Sequence, residues 1–190
     1  AERAEVKAEE VRRACRILGV EDIHFFGADD AILQVTPDVV RRLARLLREL
    51  RPDVVLTHYP REHDGIANPH AVAGQIVLYA IQLAASVDPG DRNSPHRVAQ
   101  TFFFGNGAAA LPRNLWDAAR PLYNDVFIDI TDVIEKKLAA IDSLASQGYN
   151  GAYARKRIET GDGAFGSAAG CAYAEGFISA NAETHYYLPV

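Results

Sequence analysis

Apolar positions along this chain switch between a helical and a strand-like spacing. At Ala4, Ala8, Val11, Cys15 and Leu18 they recur at i, i+4, i+7, and Gly19 is a natural residue to end such a helix. The run 23–27, IHFFG, predicts a short buried strand. Thr36-Pro37 then restarts a helix, with Val39, Val40, Leu43, Leu46, Leu47 and Leu50 inward and Arg41, Arg42, Arg45 and Arg48 on a solvated outer face. DVVLT (53–57) is a β-branched apolar run and predicts a buried strand. A polar loop leads to Asn68-Pro69-His70, a good N-cap followed by Pro at the first helical position. The helix from there to about Ser86 is apolar almost all round, so it should lie deep in the fold.

Helix, strand, helix, strand, helix at crossover spacing predicts an α/β protein with a mostly parallel sheet flanked by helices. The series opens on a helix with no strand before it, as if a βα unit were missing from the front. Further on, 87–97 is a turn-rich loop, 98–105 a strand, and 105–122 an irregular connector holding Trp116. DVFIDI (125–130) predicts a strand, and Thr131 is placed to cap a helix carrying Val133, Ile134, Leu138, Ile141 and Leu144 on one face. Segments 149–160 and 168–180 look helical, and HYYLPV closes the chain as an edge strand. With no repeat, low-complexity tract or boundary, residues 1–190 read as a single domain.

Composition adds exclusions. A net charge of -5 argues against nucleic acid or an anionic membrane as the main partner. No apolar run approaches the ~20 residues of a membrane span, and AERAEVKAEE has no signal-peptide core. Cys15 and Cys171 are far apart in apolar-periodic segments and read as buried free thiols. A cytoplasmic protein with a small-molecule partner is expected. Homo-oligomerisation is a base-rate expectation only.

The candidate chemistry sits between the two best-marked elements. His58, His63, Asp64 and His70 fall within thirteen residues, just past the carboxyl end of a strand, where open α/β sheets bind ligands. Imidazole is the commonest protein ligand for zinc, and His70 falls in the first turn of its helix. The same residues would also serve as an ordinary polar loop beside a helix cap. Gly161 to Gly166 spells GxGxxG, but a basic helical segment precedes it where the dinucleotide motif needs a strand, so the glycines mark a helix boundary. No GxSxG elbow is present, and neither cysteine has an obvious neighbouring base. Glu175 is a carboxylate in an otherwise apolar stretch, suited to a functional role or to an ion pair.

In order, LGV (18–20), PDVVLTH (52–58), His70 with Gly74 four residues on, DIT (129–131), KKLAAI (136–141), Ser146-Gln147 and Ala174-Glu175-Gly176-Phe177 make a recognisable series. It resembles the LmbE-like, or PIG-L, family of zinc-dependent deacetylases along nearly the whole chain. The resemblance implies a Rossmann-like three-layer α/β sandwich and a zinc ion (Zn2+). In that family zinc is held by a His and an Asp of an N-terminal A-H-P-D-D motif and by a later helix-opening His. Here His70 matches that last ligand. Metal-activated water would attack an amide carbonyl.

Two departures shape the expectation. The A-H-P-D-D segment is not in this sequence, which suggests a longer protein missing its N-terminal βα unit. The family's H-x-x-H is Ala67-Asn68-Pro69-His70 here, so Ala67 stands where an oxyanion-stabilising His would be. His63 or Asp64 is expected to take the catalytic role by folding into the site, with Asn68 and Glu175 on the substrate side. Some members of the family are hydratases of small unsaturated dicarboxylates. Three functions therefore stay open: a zinc-dependent N-acyl hydrolase first, a zinc-dependent hydratase second, and a degenerate ligand-binding domain third.

Overall fold

The computed structural model describes residues 2–27, 32–61, 69–104 and 124–181. The chain divides into two compact units, one of Ala1–Gly27 with Ala108–Gly176, the other of Ala28–Gly107 with Phe177–Val190.

In the second unit, α2 (Pro37–Leu50) begins as its sequence predicts. The Thr36 hydroxyl accepts from the Val39 N–H at 3.4 Å, and Pro37 opens the first turn. β1 (Val54–His58), α3 (Pro69–Ala84) and β2 (Gln100–Phe104) form a βαβ unit in which the strands pair in parallel, Val54 beside Gln100 through His58 beside Phe104. Ala44 and Leu47 of α2 pack on Ala80 and Ala84 of α3, with Val40, Leu43, Val55, Ile81 and Leu83 around them. Small alanines at the crossing let the two helices approach closely. The second half of β4 (Ala174–Ser179) runs antiparallel to β2, placing Phe102 beside Ser179 and Phe103 beside Ile178.

Two expectations change here. β1 is buried on one face only: Thr57 is buried, whereas Val54 and Leu56 on the opposite face are 48% and 54% exposed. Arg48 is not on the solvated face of α2. It is 2% exposed, and its guanidinium ends among the last carbonyls of α3.

The first unit holds α1 (Glu2–Leu18), β3 (Val126–Asp129), α4 (Ile134–Asp142), α5 (Ala152–Thr160), α6 (Asp162–Ala169) and the start of β4. α1 packs along α4. The 23–27 run is not a strand, because no described strand pairs with it, and Phe25 instead lies under the Arg12 guanidinium at 5.1 Å. Thr131 does not cap α4. It lies in a 3-10 turn (Thr131–Val133), where its N–H goes to the Asp129 carboxylate and its hydroxyl accepts from the Tyr173 N–H.

The segment 168–180 is not one helix. Gly170, at φ +78°, ends α6 in the left-handed region, and residues 174–179 continue as β4. The reversal is tight: a Cβ on Gly166 would lie 2.7 Å from the Tyr173 nitrogen. Gly161 joins α5 to α6, so the GxGxxG string is a helix boundary, as its basic helical lead-in predicts. Cys15 and Cys171 are both free, but they are half-buried rather than buried.

Glu10 of α1 ties the unit together by accepting from both the N–H and the hydroxyl of Ser146 at 2.7 Å. Those two bonds hold its carboxyl below the usual carboxylate range, and burial only partly opposes them. A depressed carboxylate stabilises the fold fully above its unfolded pKa, and the stabilisation fades as pH falls through the folded value. Glu10→Gln is therefore expected to lower the melting temperature at pH 7, with the gap from wild type closing below about pH 4. Thermal unfolding at both pH values checks this. A gap that persists in acid would show that the Ser146 contacts do not depend on the charge.

Candidate functional site

His58 ends β1 and His70 lies in the first turn of α3, so both sit at the carboxyl edge of the parallel pair. Their rings stack with centroids 4.4 Å apart and planes 14° from parallel. His58 also meets Phe104, the last residue of β2, at 4.5 Å and tilted by 55°. The parallel register makes this contact, because it sets His58 directly beside Phe104. Burial, and then the adjacent His70, push the His58 pKa below the usual histidine value, which favours the neutral imidazole.

Gly74 makes the approach of α3 to β1 feasible. A Cβ there would run into the His58 carbonyl, with the carbonyl carbon at 3.1 Å and the Pro60 Cα at 3.2 Å. One turn of helix separates Gly74 from His70, so the contact that seats the helix also seats the histidine. The Gln75 side-chain amide fastens the chain leaving β1 by donating to the Pro60 carbonyl at 2.9 Å. Tyr59 adds a backbone bond to the Phe104 carbonyl at 3.1 Å and an edge-on contact with Phe103.

Of the residues singled out from sequence, His63, Asp64 and Asn68 lie outside the described residues. Glu175 is on β4, a strand and not a helix, in the first unit. There its Oε1 accepts from Lys137 Nζ at 2.6 Å, and Lys137 also reaches Asp162 at 2.9 Å. Burial pushes the Asp162 carboxyl up against the pull of Lys137. Lys137 and Asp162 carry no signal of this role in the sequence, since the partners are far apart along the chain. Burial, and then the nearby Asp129, raise the Cys171 thiol pKa, which disfavours the reactive thiolate. A groove lined by Val35, Tyr79, Leu83 and neighbours lies toward the other end of α3 and carries no His, Cys or acidic side chain.

A zinc site takes at least three protein ligands. Two imidazoles are the right kind of donor. However, they stack face to face, and among the described residues no group of three or more His, Cys, Asp or Glu is gathered for a metal. The described residues therefore do not by themselves fit a zinc ion.

Comparison with known proteins gives this geometry a context. A family model, PIG-L: GlcNAc-PI de-N-acetylase, matches residues 1–81. The diacetylchitobiose deacetylase of Thermococcus kodakarensis is 29% identical over 152 residues, covering 74% of this chain and 49% of that protein. The 4-oxalmesaconate hydratase of Pseudomonas putida is 28% identical over 152 residues, 75% of this chain and 51% of that protein. The crystal structure of a conserved protein from Thermus thermophilus superposes with a TM-score of 0.76 at 26% identity, covering 95% of this chain and 75% of that one. This chain spans about half the length of those two sequence relatives. Fold and site edge together define an α/β protein of the kind on which deacetylases and a hydratase are built. The chain is similar to the PIG-L, or LmbE-like, proteins over its first 81 residues and in its fold.

Proposed function

We propose that this protein hydrolyses an N-acyl, acetyl-type amide of a small or sugar-like molecule, with zinc as cofactor and His70 as one of its ligands. The observation that carries the reading is His70, presented in the first turn of α3 against His58 at the carboxyl end of β1, in the chain region that ends the PIG-L match. His70 needs further donors from outside the described residues. His63 and Asp64 are proposed for the catalytic loop, and Asn68 and Glu175 for the substrate side. A cytoplasmic setting is proposed with it, supported by two free cysteines and by the absence, among the described residues, of a helix long and apolar enough to cross a membrane.

A second reading, hydration of a small unsaturated dicarboxylate, is favoured by the Pseudomonas putida relative. A domain that binds ligand without turnover is the third. Elemental analysis of the complete protein beside His70→Ala separates them from the start. About one zinc per chain in the wild type, lost in the variant, is the expected result. Acetate release from N-acetylated sugars against loss of absorbance from an unsaturated dicarboxylate then divides the first two readings. No zinc in either protein would move the binding domain to the front.

A further inference from the structure

We infer that His58 is a positioning residue for His70: its flat ring, held against Phe104, fixes the rotamer and plane of the His70 imidazole stacked on it. The inference rests on His70 being the functional ring of this site.

A histidine in the first turn of a helix has no preceding turn of its own helix to restrict χ1, so its orientation must come from outside the helix. The ring stacked on it is His58, at 4.4 Å and 14°. His58 is itself held from three directions. It is the last paired residue of β1, which fixes its backbone to β2. Phe104 meets it at 4.5 Å and 55°, which restricts its ring. Its carbonyl abuts Gly74, so the strand end and the helix start cannot drift apart independently. A near-parallel stack on a held ring leaves the neighbour one preferred plane. Sequence spacing alone would group His58 with His63 and His70 as an equivalent donor. The geometry gives it a different task, because a ring lying face to face with His70 directs its nitrogens along its own plane and not at a point shared with its neighbour.

The role is readable apart from activity. Ring-selective NMR of the histidine side chains in the complete protein, with χ1 couplings for His70, should show one dominant rotamer and ring-to-ring contacts between His58 and His70. His58→Leu keeps apolar bulk beside Phe104 but removes the flat face, and His70 should then average between rotamers. His58→Phe restores a flat ring and should restore the single rotamer. A stacked ring pair sets a preference of roughly two- to tenfold, and the weakening of zinc binding in a titration with the metal alone should follow the same order, Leu weaker than Phe. An unchanged His70 rotamer in His58→Leu overturns the inference, as does a His58→Phe variant no better than His58→Leu. Should His58→Leu fail to fold, the absence of ring-to-ring contacts in the wild-type spectrum overturns it equally. A wild type that shows the single rotamer yet binds no zinc leaves the positioning role standing and removes the metal reading of His70 instead.

Discussion

Gly74→Ala should cost the protein about 3 kcal/mol, against a helix-propensity gain of about 1 kcal/mol for Ala over Gly inside a helix. The sign is decided by what the new methyl meets. Its neighbours are the His58 carbonyl and the Pro60 Cα, all backbone, and no side chain there can rotate out of the way. Relief requires moving α3 off the end of β1, which opens the βαβ unit where Val55 and the α2–α3 cluster pack. A net loss of about 2 kcal/mol corresponds to a melting temperature lower by roughly 4–8 °C for a chain of this size. The same displacement separates the His58 and His70 rings, so activity per folded molecule should fall as well. Thermal unfolding and turnover of the complete protein measure the two effects. A melting temperature at or above wild type would mean that α3 can recede without loss, and that Gly74 is not what seats the helix.

Much of this architecture was legible because it is local. β1, the loop and the start of α3 are contiguous in sequence, so a β-branched run, an Asn-Pro cap and intervening histidines locate the site edge without tertiary information. The cap of α2 at Thr36 is local too. Expectations failed where the deciding partner is remote. Arg48 shares a helical face with Arg41 and Arg45 by spacing, and nothing nearby announces that the end of α3, some 35 residues on, will close over it. Residues 174–179 hold an apolar run too short for periodicity to separate helix from strand, and the left-handed Gly170 decides it. Thr131 has every attribute of a cap, but Asp129 and Tyr173 claim its N–H and its hydroxyl. Several pieces of the family-like series turn out to be ties of this kind. Ser146 binds Glu10, and Lys137 joins Glu175 and Asp162. Of the series, His70 is the piece on which the proposed chemistry rests.

Arg48→Ala is expected to be the most destabilising single change away from the site, at about 4 kcal/mol. The last carbonyls of a helix have no intrahelical donor, and at the end of α3 this side chain shares them with the N–H groups of Ser86, on Leu83, and His96, on Ala84. Arg48 donates to Leu83 at 2.7 Å, Ala84 at 3.2 Å and, just beyond the helix, Ser86 at 2.8 Å. Its remaining donor reaches Asp91 at 2.9 Å and Asp88 at 3.5 Å. Asp91 is held below its usual pKa first by the Asn93 N–H and then by Arg48, so it stays ionised when the arginine is gone. With its side chain only 5% exposed, it would be left as a nearly buried charge without its cation. Removing one partner of a buried network costs far more than the network contributes, because the others remain desolvated and unpaired. Arg48→Lys keeps the charge but not the planar fork, and a single ammonium cannot serve three carbonyls and a carboxylate together, so it should recover less than half of the loss. His70 lies fourteen residues back along α3, roughly 21 Å at the helical rise, so turnover per folded molecule should be unchanged. That contrast separates the two ends of the helix: Gly74 governs both stability and the site, Arg48 stability alone. Urea unfolding of the three proteins at pH 7 supplies the test. A loss under about 1 kcal/mol for Arg48→Ala would mean that water replaces the guanidinium at the end of α3 without penalty.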